Sequence, residues 1–126
     1  MRALFVDDEL EFLELMQKRL VRRGMEVATA PDGQTALNMV DEALAPGGEP
    51  FNIVVMDVRM PGMDGLETLR HMKEKAPNLP VILLTGHACM GVAVQGLDLG
   101  AYDYMLKPVA ISELIIKMEE AARSAV

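Results

Sequence analysis

The chain has 126 residues, a hydrophobic fraction of 51% with no Trp and eleven Met, and a net charge of −7. That length reads as one domain, residues 1–126, with an aliphatic, Met-rich core, and the negative charge excludes a domain that grips DNA or anionic lipid by itself. A lone cysteine, Cys89, excludes an internal disulfide, and no stretch reaches the length of a membrane span, so the expectation is a cytoplasmic chain with no signal peptide, no membrane segment and no direct nucleic-acid binding.

In chain order, Arg2–Val6 is a short apolar strand that runs into three acids, Asp7-Asp8-Glu9. Phe12, Leu13, Met16 and Leu20 then recur at helical spacing, with Asp8 placed to cap the helix and Lys18, Arg19, Arg22 and Arg23 at its negative end. Leu15 falls off the buried stripe, and three successive acids exceed what helix-start chemistry needs. Glu26–Ala30 is a second strand. Asp32, after Pro31, caps a helix that turns Ala36, Leu37, Val40 and Leu44 inward. Residues 45–50, rich in Gly and Pro, read as a surface loop.

Ile53-Val54-Val55-Met56 is apolar throughout and three of its residues are β-branched, the pattern of a central strand buried on both faces. It stops on Asp57, and one Pro and two Gly in residues 58–65 turn the chain there, so Asp57 stands at the carboxyl end of the strand. A third helix through Leu66 and Leu69 ends before Pro77. Residues 80–84 form a fourth apolar strand that ends on Thr85-Gly86-His87. The helix over residues 90–99 contains Gly91 and Gly96, each costing about 0.5–1 kcal/mol relative to Ala. Residues 101–106 form a fifth strand running into Lys107-Pro108, and the last helix turns Ile111, Leu114, Ile115, Met118 and Ala122 inward and Ile116 outward. Five β-α units with crossovers of this length require a parallel sheet covered by helices on both faces, a doubly wound α/β fold.

In such a sheet Asp7 and Asp8, Asp57, Thr85 and Lys107 all face one rim. Three carboxylates and one ammonium leave the cluster at −2. Two unit charges 4 Å apart interact by about 4 kcal/mol at an effective dielectric of 20, so either a carboxyl keeps its proton or a cation enters. Mg2+ brings the sum to zero and prefers oxygen ligands; zinc is disfavoured with one Cys and no clustered His. A carboxylate, an ammonium, a hydroxyl and Mg2+ suit phosphoryl transfer to Asp57, with Thr85 and Lys107 as donors to the new oxygens.

These residues resemble a response-regulator receiver domain of two-component signalling, a CheY-like fold: Asp7-Asp8, Asp57 with Met60-Pro61-Gly62-Met63-Asp64-Gly65, Leu84-Thr85-Gly86, and residues 100–104 before Lys107-Pro108. The resemblance covers essentially the whole chain. It implies a flavodoxin-like, five-stranded parallel sheet of order 2-1-3-4-5 and a phosphoprotein charged on Asp57 by a sensor histidine kinase or a histidine phosphotransfer protein. It places Mg2+ on Asp8, Asp57 and the backbone carbonyl of Arg59, and near Asp7 through water. It makes Lys107 the partner of Asp57, Thr85 and Tyr104 the switch pair, and Lys107-Pro108 a cis bond. Phe12 and Leu15 match the kinase-docking positions on the first helix. The face built by the fourth helix, fifth strand and last helix would address an output domain, a partner protein or, on phosphorylation, a second copy.

Arg59 and His87 occupy positions where the family varies and where the side chain alters phosphoryl lifetime. Ala110 stands where a capping Asp, Ser or Thr is usual. Two alternatives remain at this stage. An aspartate-nucleophile phosphatase would carry a second acid two residues after the nucleophile, where this chain has Arg59. A degenerate receiver serving as a binding scaffold conflicts with the complete set of acids, Thr and Lys.

Overall fold

The apolar runs of the sequence become five parallel strands in the computed structural model, which describes residues 1–60 and 62–125; Pro61 of the motif after Asp57 lies outside them. The strands are β1 (Arg2–Val6), β2 (Glu26–Ala30), β3 (Ile53–Asp57), β4 (Val81–Thr85) and β5 (Asp103–Leu106). They alternate with α1 (Leu10–Val21), α2 (Gly33–Leu44), α3 (Gly65–Lys75), α4 (Met90–Asp98) and α5 (Ile111–Ser124). The sheet order is β2-β1-β3-β4-β5, as expected. The order reverses between β1 and β3, and the crevice at the carboxyl ends of strands beside such a reversal is where open α/β sheets bind ligands.

Alternating residues of the central strands feed two cores. Leu4, Val6, Val54, Met56, Val81 and Leu83 pack under α2, α3 and α4, against Leu37, Val40, Leu69, Met72 and Ala93. Ala3, Phe5, Ile53, Val55, Ile82 and Leu84 pack under α1 and α5, against Leu13, Met16, Leu20, Leu114 and Met118. Strands β3 and β4 are buried along their whole length, which is why they carry no alternation in sequence.

Several expectations need correction at element ends. Asp8 does not cap α1: the N-cap is Glu9, without a side-chain bond, and Asp7 accepts the Glu9 N–H instead. Leu44 closes α2 half-exposed, and Ala43, three residues after Val40, fills the core position. On α5 the inward residue is Ala121, with Ala122 only partly covered, and Ile111 is likewise half-buried. β5 begins at Asp103 rather than at residue 101, and a 3-10 turn, His87–Cys89, precedes α4. Gly96 is more than a weak helix residue: a methyl there would lie 2.3 Å from the Leu83 side chain, so its absence lets α4 approach β4. Asp32 caps α2 as expected, accepting the Thr35 N–H at 2.7 Å.

Ala110 is the N-cap of α5 and offers no side-chain bond. Glu113 sits three residues on, so Ala110→Ser completes a Ser-x-x-Glu capping box. The expected result is a gain of about 1 kcal/mol in chemical denaturation with no change of fold.

Candidate functional site at the carboxyl edge of the sheet

Each strand of the centre delivers one polar group to the same rim. Asp7 continues β1 by one residue, its N–H donating to the Ala30 carbonyl at 3.1 Å, and its side chain is 1% exposed. Its Oδ1 accepts the Glu9 N–H at 2.9 Å, which fixes the carboxylate. Asp57 ends β3; its Oδ1 accepts the Arg59 N–H at 3.0 Å, leaving Oδ2 for the pocket. Thr85 ends β4, buried, its hydroxyl donating to the Gly86 carbonyl at 3.0 Å. The Lys107 N–H donates to the Thr85 carbonyl at 2.8 Å, carrying the β4–β5 ladder past the end of β5. The Lys107–Pro108 peptide bond is cis.

From that anchor the Lys107 ammonium reaches back across the rim. It donates to Asp7 Oδ2 at 2.7 Å and Asp57 Oδ2 at 3.1 Å, with Glu9 Oε1 at 3.4 Å. Asp8 is exposed beside them. One carboxylate oxygen from each of Asp7, Asp8 and Asp57 lies within 4.8 Å of the other two. The pocket over these groups holds about 350 Å³ and takes in Asp8, Asp57, Arg59, Thr85 and Lys107. Three hard oxygen donors around a net charge of −2 fit a divalent, oxygen-seeking ion, and an open rim leaves room for its retained waters, as Mg2+ requires.

Burial, more than neighbouring charge, sets the Asp7 carboxyl. Burial raises the Asp7 carboxyl above its ordinary 3.8; the Asp57 charge adds to this, and the bonds to Lys107 and Glu9 offset only part of it. Burial alone would lower the Lys107 ammonium, but the bond to Asp7 and the Asp57 charge outweigh it and hold it above 10.5. Between 3.8 and the raised value of Asp7 the folded chain binds more protons than the unfolded one. The stability from protonated Asp7 is therefore fully present below 3.8 and is lost as pH rises through the folded value. Asp7→Asn, neutral throughout, should remove this acid-side slope in metal-free denaturation measured across the window; an unchanged slope would contradict the burial effect.

The other singled-out residues divide between the pocket and the surface around it. Arg59 is exposed at the pocket, whereas His87 opens the 3-10 turn, exposed and outside the pocket lining. Tyr104 is half-buried against the core under α4 and does not line the pocket. Leu15 is exposed on α1. Phe12 is half-buried, and its ring lies under Lys107, the ammonium 4.6 Å from the centroid. The sequence places neither Glu9 nor Phe12 against Lys107. The third acid of the run was a signal for the first; nothing in a linear sequence pairs residues 12 and 107.

A family model described as "Response regulator receiver domain" matches residues 3–119. Among curated proteins the chain is 37% identical over 123 residues to response regulator MprA of Mycobacterium avium, covering 98% of this chain and 51% of that protein. It is 34% identical to transcriptional regulatory protein TctD of Salmonella typhimurium, covering 98% and 52%. It is 36% identical to transcriptional regulatory protein ZraR of Klebsiella oxytoca over 94% of this chain and 25% of that one. The chain thus spans about half the length of the first two relatives and a quarter of the third. Among solved structures, a response regulator receiver domain protein from Clostridium thermocellum superposes with a TM-score of 0.90 at 31% identity, covering 98% of this chain and 94% of that one. The receiver domain of NtrX from Brucella abortus gives 0.85 at 34% identity, covering 97% and 98%. With a family match across nearly its whole length, laid on this sheet order, the chain belongs to the response regulator receiver domains of two-component systems.

Proposed function

We propose that residues 1–126 act as one receiver domain that accepts a phosphoryl group on Asp57 from the phosphohistidine of a sensor histidine kinase or a histidine phosphotransfer protein. The observation that carries this reading is the meeting of Lys107 with Asp57 and Asp7 at hydrogen-bond distance, beside Asp8. In the transfer an Asp57 oxygen bonds to phosphorus as the phosphorus–nitrogen bond breaks. The imidazole leaves with the electron pair, and Asp57 becomes an acyl phosphate. Asp8, Asp57 and the Arg59 carbonyl, with Asp7 near through water, would hold Mg2+, which would supply positive charge to the phosphoryl oxygens when bound. The Lys107 ammonium gives up part of its hold on Asp7 to bond a phosphoryl oxygen. Arg59, at the rim, either meets the phosphoryl group or obstructs water and so sets its lifetime, with His87 beyond it. The chain catalyses only its own charging and discharge.

The new charge of about −2 on residue 57 draws the Thr85 hydroxyl from the Gly86 carbonyl. Tyr104 turns inward behind it, and the α4-β5-α5 face changes what it binds. Val94 and Leu97 of α4 and Tyr102 stand exposed on or beside that face. Two of the relatives are named transcriptional regulatory proteins, and an output domain, a partner protein or a second copy are the occupants such a face would take. No helix among the described residues is long and apolar enough to cross a membrane.

The test is the intact mass after incubation with Mg2+ and acetyl phosphate. The wild-type chain should gain one phosphoryl group and Asp57→Asn none. Equal labelling of both, or no labelling of the wild type, would overturn the reading.

A further inference from the structure

We infer that Phe12 is a positioning residue: the face of its ring holds the Lys107 ammonium at the phosphoryl pocket. The inference rests on the proposed phosphoryl transfer and adds a part to it. Among the described residues the Lys107 ammonium has four partners within reach. Two of them, Asp7 and Asp57, belong to the carboxylate cluster that suits Mg2+, and Asp57 is also the group to be modified. The third, Glu9, bonds at 3.4 Å from a side chain that is 66% exposed, so solvent screens it. The fourth is Phe12, whose ring centroid is 4.6 Å from the ammonium.

The distinction is chemical. A metal would compete with Lys107 for the carboxylates, and phosphorylation turns Asp57 itself into an acyl phosphate, so each change loosens a carboxylate from Lys107. A phenyl ring binds neither metal nor phosphoryl group, while its negative face attracts an ammonium at this range. The contact is sheltered, since the Lys107 side chain is only 19% exposed and the Phe12 ring packs on the core beneath α1 and α5. Phe12 therefore keeps the amine in place at the moment when its anionic partners are being taken over. α1 is built for this. Its first turn follows Asp7-Asp8 after the single residue Glu9, and Leu13, Met16 and Leu20 fix its rotation against the sheet, which sets Phe12 against Lys107 just past β5.

The experiment uses Phe12→Leu, which keeps an apolar side chain without the ring face, and Phe12→Tyr, which keeps the ring. Charging by acetyl phosphate with Mg2+ is followed by mass spectrometry, a donor with no protein surface to dock. Phe12→Leu should lower the limiting rate about fivefold with the half-saturating Mg2+ concentration unchanged, and Phe12→Tyr should stay within about twofold of wild type. In a Lys107→Ala background the same Phe12→Leu change should have no further effect. Both variants are compared at matched folded fraction by circular dichroism. The inference is overturned if Phe12→Leu charges at the wild-type rate, if Phe12→Tyr is as slow as Phe12→Leu, or if the loss persists without Lys107. A wild-type chain that takes no phosphoryl group would overturn the proposed function instead, and that outcome is separate from these.

Discussion

Lys107→Ala should split into two opposite effects. Without metal the chain should lose about 3 kcal/mol of stability, because Asp7 would stay buried with no counter-charge and Asp57 would lose its partner. Breaking a fully buried pair costs about 3–5 kcal/mol; the lower end applies because the Lys107 side chain keeps 19% exposure. The melting temperature should fall by about 10 °C. Mg2+ should bind more tightly than in wild type, since a competing cation has left a cluster of three acids, and saturating Mg2+ should restore most of the lost stability. Charging by acetyl phosphate should nonetheless slow by about a hundredfold, the scale for removing a donor to developing anionic charge. Thermal melts with and without Mg2+, read beside charging rates, test all three. A metal-free melt equal to wild type, with no gain in Mg2+ affinity, would contradict the charge balance described for the pocket.

Gly65→Ala should cost almost as much by a steric route. A methyl at Gly65 would lie 2.7 Å from the Asp57 carbonyl oxygen and from the Val58 Cα, and 2.8 Å from the Val58 carbonyl oxygen. All three are backbone atoms with no rotamer to relieve the overlap. Gly65 also closes the loop by donating its N–H to the Val58 carbonyl at 3.0 Å. Either α3 moves off or the strand end carrying Asp57 shifts, at a cost of about 3 kcal/mol, the upper range for overpacking. Charging of Asp57 should fall with it. Gly91→Ala is the control: nothing lies within 4 Å of the added methyl, and α4 should gain about 0.5–1 kcal/mol. Chemical denaturation of the two variants should move in opposite directions; equal shifts would contradict the packing around Gly65.

The strands and the rim were legible in the sequence for a common reason. Unbroken apolar runs such as residues 53–56 and 81–84 have one use in a chain of this size, and each stops on the residue that the structure brings to the carboxyl edge. Asp57, Thr85 and Lys107 could be placed on one edge because parallel strands share a direction. What could not be read was anything set by side chains meeting across the fold. Asp8 looked like a helix cap because capping depends on local sequence, yet the backbone leaves β1 so that Asp7 accepts the Glu9 N–H and α1 starts one residue later. Gly96 reads in sequence as a weak helix residue, but the Leu83 side chain packs against it. Leu44 and Ala122 obeyed a plausible helical stripe, but Ala43 and Ala121 occupy the covered positions, a rotation that periodicity at a helix end does not fix. Phe12 was read twice, as core and as docking surface, and its position under Lys107 belongs to neither.

Borohydride trapping tests the central claim most directly, because reduction converts an aspartyl phosphate to homoserine at the residue that carried it. After charging with acetyl phosphate and Mg2+, peptide sequencing by mass spectrometry should find homoserine at position 57 and the conversion should vanish when Mg2+ is chelated. Homoserine at another acid of the rim, or conversion at Asp57 that is indifferent to Mg2+, would contradict a pocket in which Asp7, Asp8 and Lys107 serve the charging of Asp57.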